Sequence, residues 1–441
     1  EFLSSPRAVV GTRVSIESSR PKSSTRLPAF SPRMKPSTLL TAVLGASLCA
    51  AFVAPGRRLP ARRAPTRSKM SNLQMTLEGH APLKVAIVGA TGAVGQEIIG
   101  VLEKRGFPCG DAGPSLFGSK GGKTVSTSKW GDLTTEAFSV EAARGFDIVF
   151  LAASGDFATE YAKKIGEVLA EGGVVVDNSS ALRYDADVPL VVPEVNGQLC
   201  KGAKVVANPN CTTAIALMAL FPLFLAFGLK KVIVSTYQAA SGAGAAGMAE
   251  LKSGIAASVA EGAPYLEADG RFGDEKPANK EFAHPLAFNV IPHIDKFQAN
   301  GYTKEEMKVT WECRKILGFE PFESAADTGK EPKVSCTAVR IPTLRAHSEA
   351  ITIETEKPVT PEAAREALTG FPGLTIADDV DANLYPMPIT STGNYDVEVG
   401  RIRRNEVFGD CGLDFFVCGD QLLRGAALNA VLIAEKTKQL A

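Results

Sequence analysis

The sequence predicts an α/β protein in which a doubly wound, parallel-sheet domain is joined to a second, α+β domain. Three features predict it. Residues 84–88 form a short apolar run, the pattern of a strand buried on both faces. That run enters the glycine-rich stretch 89–95 and then helical spacing over 93–105, where Val94, Ile98, Val101 and Leu102 share a face. Beyond residue 213 the short apolar runs give way to long alternating ones, which suit a sheet with one wet face. At 441 residues, 45% hydrophobic, the chain has material for two domains at roughly 100–200 residues each.

Taken in order, residues 1–75 read as a targeting leader. They hold 13 Lys/Arg and 2 Asp/Glu, so 76–441 keep 35 basic and 46 acidic residues, a net −11 within a chain of total charge zero. So acidic a body is not built to bind nucleic acid, whose phosphates need a basic face. Met34 is the expected initiator, and 39–54 is an apolar run too short for the roughly 30 Å of a bilayer core but suited to a signal-peptide core. Arg57, Arg58, Arg62, Arg63, Arg67 and Lys69 follow without an acidic residue, which is transit-peptide chemistry. The pair resembles the bipartite plastid leaders of algae with secondary plastids. It implies a mature protein of the plastid stroma, without a membrane segment, that starts between Phe52 and Met75. A secretory signal with a basic linker is the competing reading.

The glycine-rich stretch comes next. Gly89-Ala-Thr-Gly-Ala-Val-Gly95 lies between a strand and a helix, where glycine lets the chain turn tightly and lets phosphates approach backbone amides. The helix start then offers unpaired N–H groups to a pyrophosphate. Strand-like runs at 146–153, 173–177 and 204–207, with helical segments between, complete a Rossmann-type nucleotide-binding domain. Enzymes that prefer NAD usually carry Asp or Glu after the second strand. Residues 115–123 hold no acid there, but Lys120 and Lys123, so NADP is expected.

Chemistry is expected at Asn208-Pro-Asn-Cys-Thr-Thr213. Cys211 falls where a strand ends and an apolar helix begins, and the positive end of the helix dipole should lower its pKa toward the nucleophilic thiolate. The eight cysteines show neither paired CxxC spacing nor a His/Cys/carboxylate cluster, so no metal is expected. The other seven read as small buried hydrophobes. A partner titrating near neutrality must be a histidine, and the residues alone leave His293 and His347 equal. Arg340 offers the fork that suits a carboxylate. Glu305 and Lys308 lie at i and i+3, hence on one helix face, as any surface ion pair could. The second domain, 213–415, should contain alternating strands at 231–239, 288–297, 334–341 and 350–356, a surface loop at 269–281, and substrate and subunit contacts. A last helix is expected over 421–439.

The motifs GATGAVG (89–95), NPNCTT (208–213), YQAASGAG (237–244), EEMK (305–308) and RIPTLRAHS (340–348), in this order, resemble the aspartate-semialdehyde dehydrogenase family. The resemblance runs from about residue 84 to the C-terminus. It implies that 416–441 return to the nucleotide domain 84–212. By motif, Cys211 would be the acylated nucleophile, His347 the general acid/base, Gln238 the residue orienting substrate, Arg340 the carboxylate clamp and Glu305 the amino-group partner. Arg183, Asn210 and Lys308 would hold phosphate. Cofactor contacts would fall on Gly89, Thr91, Gly92, Ala93, Val94, Gly95, Ser241, Gly242 and Asn429. Ser119 and Lys120 stand where relatives commonly carry Arg-Ser for the 2′-phosphate of NADP. The implied reaction interconverts 4-aspartyl phosphate and aspartate semialdehyde plus inorganic phosphate, with NADPH and a Cys thioester, on the route to Lys, Thr, Met and Ile. A homodimer or dimer of dimers is implied as well. Acetylglutamyl-phosphate reductase shares the glycine motif but differs around its cysteine. A non-catalytic paralogue would tolerate loss of Cys211 or His347, and both are present.

Overall fold

In the computed structural model of the chain, which describes residues 77, 80–260, 265–267, 269–273, 277–322 and 329–440, β1 (Val85–Val88) is buried at every position. The leader read over 1–75 lies outside the described residues. Helix α1 (Ala93–Lys104) follows, then β2 (Ser115–Gly118), the hairpin β3 (Thr124–Ser126) and β4 (Asp132–Thr134), and β5 (Glu136–Ala137). After these come β6 (Ile148–Leu151), α2 (Gly155–Val168), β7 (Val174–Asp177), the short α3 (Pro193–Asn196) and β8 (Val205–Ala207). Six of these strands form one all-parallel sheet in the order β5-β2-β1-β6-β7-β8. Strand order therefore reverses between β1 and β6, the place where such sheets bind ligands at their carboxyl ends. The two faces divide the core: Ala86 and Val88 pack with α2, while Val85 and Ile87 pack on the opposite side with α1.

Helix α4 (Cys211–Phe227) leads into the second domain. It is apolar all round and almost wholly buried, and it packs under the second sheet. The domain continues through β9 (Lys231–Gln238), α5 (Gly244–Val259), α6 (Lys304–Ile316), β10 (Lys333–Arg340), β11 (His347–Glu354), α7 (Pro361–Leu368), β12 (Leu374–Ile376), α8 (Pro388–Ser391), β13 (Val397–Arg404) and β14 (Gly412–Gly419). Its mixed sheet runs β10-β9-β11-β14-β13-β12. Alternation along β9 buries Val232, Val234 and Thr236 and exposes Ile233 and Tyr237. The chain then returns through a π-helical turn, Leu423–Ala427, and α9 (Leu428–Leu440), which packs on the nucleotide-domain core beside α1.

Three expectations need correction. Residues 288–297 are no strand: Phe288 and Asp295 have φ of 57° and 69°, Pro292 has no N–H to give, and only isolated bridges Ile291–Arg340 and Phe297–Thr303 form. The last helix is not regular from 421, because its first turn is π-helical. Strand β11, expected over 350–356, begins earlier, at His347.

Candidate active site

Strand register brings three predicted residues to one edge. β10 pairs parallel with β9, setting Arg340 opposite Gln238. β9 pairs antiparallel with β11 through Tyr237 and Ser348, so Gln238 and His347 sit together at the ends of their strands. All three side chains belong to the buried face of the sheet. Arg340 donates from Nη1 to the Ala239 carbonyl at 2.7 Å and lies over the Phe282 ring, 5.8 Å from its centroid. It has no ion-pair partner among the described residues.

Cys211 arrives from the other domain. Asn210 caps α4, its Oδ1 accepting from Thr212 N and Thr213 N at 3.0 and 3.2 Å, which places Cys211 in the first turn. The Asn210 amide donates to Glu305 Oε1 at 2.9 Å, and Gln238 Nε2 lies 3.4 Å from the same oxygen. Lys308, one turn along α6, meets the other Glu305 oxygen at 3.1 Å and Asp295 at 2.9 Å. Glu305 thus joins the cysteine helix to the strand edge.

The expected depression of the Cys211 thiol is not what these surroundings produce. Burial pushes it up to about 12 and the Glu305 carboxylate adds to the rise, while Arg183, Arg340 and the Thr212 hydroxyl pull it down. Burial, then the Arg340 charge, pulls His347 down to about 3. His347 Nδ1 accepts from Ala239 N at 3.0 Å, which leaves the proton on Nε2, an atom buried without a partner. Burial also raises Glu305, but Lys308, Asn210 and Arg340 outweigh it and hold the carboxyl below its ordinary value. In the free enzyme, then, thiol and imidazole are neutral and Glu305 is ionised.

Other predicted residues are placed as follows. Arg183 is buried under the cysteine loop, donating to Asn208 O and Glu312 Oε1, both at 2.9 Å, and to Asn178 O. Ser241 is buried and bonded to Gln421, and Gly242 packs against the Arg340 guanidinium, where a Cβ would lie 2.7 Å from Nη1. Asn429 is fully buried, its amide donating to Val191 O at 3.0 Å and Asn208 Oδ1 at 2.6 Å. Gly89, Thr91, Gly92, Ala93, Val94 and Gly95 form the turn at the carboxyl end of β1, with Thr91 and Gly92 exposed. A groove of about 860 Å³ runs from Thr91 along α1 to Lys123 and β3. Ser119 and Lys120 are exposed just past β2. His293 stacks on Phe297, ring centroids 4.7 Å apart, on the irregular segment. Sequence reasoning missed Glu312, fully buried, which accepts from Arg183 and from Asn210 N at 2.6 Å. Its spacing from Glu305, two helical turns on the same face, was the available signal.

A dinucleotide fold whose last strand delivers a cysteine to the strand edge of a second domain defines the class, a semialdehyde dehydrogenase. The semialdehyde dehydrogenase NAD-binding domain matches residues 84–203, and the semialdehyde dehydrogenase dimerisation domain matches 220–424. An aspartate-semialdehyde dehydrogenase of Aquifex aeolicus is 45% identical over 357 residues, covering 80% of this chain and 97% of the relative. One from Synechocystis sp. is 40% identical, with the same coverage. A solved structure of aspartate semialdehyde dehydrogenase II from Vibrio cholerae, complexed with ASA, superposes with a TM-score of 0.71 at 34% identity, over 82% of this chain and 99% of that one. The chain belongs to the aspartate-semialdehyde dehydrogenase family, oxidoreductases that carry out a reversible phosphorylating reduction.

Proposed function

We propose that this enzyme uses NADP, forms its acyl intermediate on Cys211, and interconverts 4-aspartyl phosphate with aspartate semialdehyde and inorganic phosphate. One observation carries the reading. Glu305 and Arg340, the latter buried without an ion-pair partner among the described residues, act on both Cys211 and His347 at one edge where two domains join. A substrate with a carboxylate and an ammonium group matches the charges of Arg340 and Glu305, and the Vibrio cholerae relative was solved with ASA.

The residues then share the work. Arg340 binds the α-carboxylate through its free fork and Glu305 the ammonium, which aims the acyl carbon at Cys211. An ammonium on Glu305 offsets the carboxylate that, after burial, raises the thiol, while a carboxylate on Arg340 offsets a charge that lowers it. His347 accepts the thiol proton as sulfur attacks, the C–O bond to phosphate breaks, and a thioester remains. Asn210 binds the Thr212, Thr213 and Ala214 N–H groups, which leaves the Cys211 N–H as the first-turn donor to the developing oxyanion. The dinucleotide supplies hydride to the thioester when bound. His347 protonates the departing Cys211 sulfur as the C–S bond breaks and the aldehyde forms. Lys308, Asn210 and Arg183 supply positive or donor groups for the phosphate.

The chain fits the cofactor where it can be tested. Gly89 has φ of 86°, and a Cβ on Gly95 would lie 2.7 Å from Ala90 Cα, so the turn and helix approach β1 as a phosphate cradle requires. Residues 115–123 carry Lys120 and Lys123 and no acid, which favours the 2′-phosphate of NADP. The exposed apolar side of the second sheet, with Ile233 and Tyr237, supports a homodimer. We further propose that residues 1–75 direct the chain to a plastid; a fluorescent fusion of residues 34–80 that stays in the cytosol would contradict this. The enzymatic reading is tested with residues 76–441 and aspartate semialdehyde, omitting phosphate and dinucleotide in turn and exchanging NADP for NAD. Reduction that needs phosphate and prefers NADP is expected. Steady turnover without phosphate would remove the acyl-phosphate chemistry.

A further inference from the structure

We propose that the π-helical turn Leu423–Ala427 is the device that positions the Cys211 thiol, with Gly425 as its contact point. This rests on the reading of Cys211 as nucleophile. Glycine weakens a helix interior relative to alanine, and a π turn inserts a residue that the ordinary helix would not hold. Both irregularities meet at one spot. A Cβ on Gly425 would lie 2.8 Å from Cys211 Cα and closer still to its Cβ. No side chain fits there, so the turn presses its bare backbone against the nucleophile. Glu305, Arg183 and Arg340 are the charged groups that act on the sulfur of the side chain so held.

The turn is pinned around this contact. Fully buried Asp420 accepts from Leu422 N at 3.0 Å and pairs with Arg345 at 2.6 Å. Arg424, fully buried within the turn, reaches Glu194 on α3 at 2.8 Å. Asn208, three residues before the cysteine, donates to Ala426 O at 3.0 Å. The turn is therefore held on both sides of Gly425, to α3 through Arg424 before it and to the cysteine loop through Ala426 after it. A buried ion pair is weak support for stability, since a matched apolar or neutral pair can replace it, but it fixes geometry well.

Two variants test this, Gly425→Ala and the paired Glu194→Gln/Arg424→Met, which loosens the turn without stranding a charge. Each is compared with the parent and with Cys211→Ala for kcat, KM, thermal midpoint, and the pH profile of Cys211 alkylation read by peptide mass. A positioning role predicts kcat lower by about tenfold or more, the loss of roughly 1.4 kcal/mol of transition-state stabilisation, with KM little changed and a shifted alkylation profile. A folded Gly425→Ala enzyme that keeps the parental kcat and alkylation profile overturns the proposal, even if its thermal midpoint falls. Should that variant not fold, the same parental behaviour in the paired variant overturns it. Activity persisting in Cys211→Ala instead removes the nucleophile reading on which the proposal rests.

Discussion

Cys211 and His347 start from protonation states that suit a resting enzyme better than a working one. The thiol is pushed up by burial and by Glu305, and the imidazole is held neutral by burial and Arg340. Alkylation of Cys211 in the free enzyme should accordingly be slow at neutral pH and climb steadily as pH rises. Replacing Glu305 by Gln removes a negative neighbour, so it should speed alkylation of the free enzyme while raising KM for aspartate semialdehyde. Unchanged alkylation in Glu305→Gln would show that the carboxylate does not govern the thiol. The residue scale was the most legible in sequence, because Cys211, Gln238, Arg340 and His347 lie in compact motifs. The sign of the thiol shift was not legible. A helix dipole can be read from one strand-helix junction, but burial and Glu305, 94 residues away in sequence, cannot.

Strand register and helix packing turn those motifs into a site. Gly95 illustrates the demand: its Cα faces Ala90 so closely that alanine there must push α1 off β1. Gly95→Ala should weaken dinucleotide binding by about tenfold or more, measured by fluorescence titration of the reduced cofactor, while free-enzyme alkylation of Cys211 stays parental. Strand β11 carries a second consequence. Glu349, two residues from His347, is fully buried with neither oxygen hydrogen-bonded, and burial raises its pKa well above the carboxylate range. The folded state keeps this proton after the unfolded chain has released it, so stability falls as pH rises above the ordinary carboxylate pKa. Glu349→Gln should raise the thermal midpoint at neutral pH and flatten its decline above the ordinary carboxylate range. A lower midpoint at every pH would mean the carboxyl makes contacts that matter more than its burial. For His347 the sign reverses: its folded value is depressed from 6.5 to about 3, so its contribution is lost as pH falls through that window. Regular strands such as β9 and β11 were legible from alternation, whereas 288–297 alternated in composition yet carries a proline and left-handed residues that stop a ladder. The π turn was hidden because Leu422, Ala426 and Ala430, and Leu423, Ala427 and Val431, keep the i, i+4 spacing of an ordinary helix across it.

Across the whole molecule, one apolar helix, α4, joins two sheets: its first turn carries Cys211 and its length fills the core below the second sheet. The outer side of that sheet leaves Ile233 45% and Tyr237 38% exposed, with Tyr237 against Phe416, ring centroids 6.0 Å apart. A charge there should block pairing of subunits, so Ile233→Asp should elute as a monomer by light-scattering chromatography where the parent elutes as a dimer. Unchanged mass would place the subunit contact elsewhere. Acylation of Cys211 where the two domains meet is the step on which the proposed reaction depends. The most direct test mixes residues 76–441 with aspartate semialdehyde and NADP in the absence of phosphate and quenches on the millisecond scale. A burst of reduced nicotinamide stoichiometric with active sites is predicted, together with an aspartyl adduct on the Cys211 peptide that added phosphate discharges. No burst, or one that survives Cys211→Ala, would contradict the account.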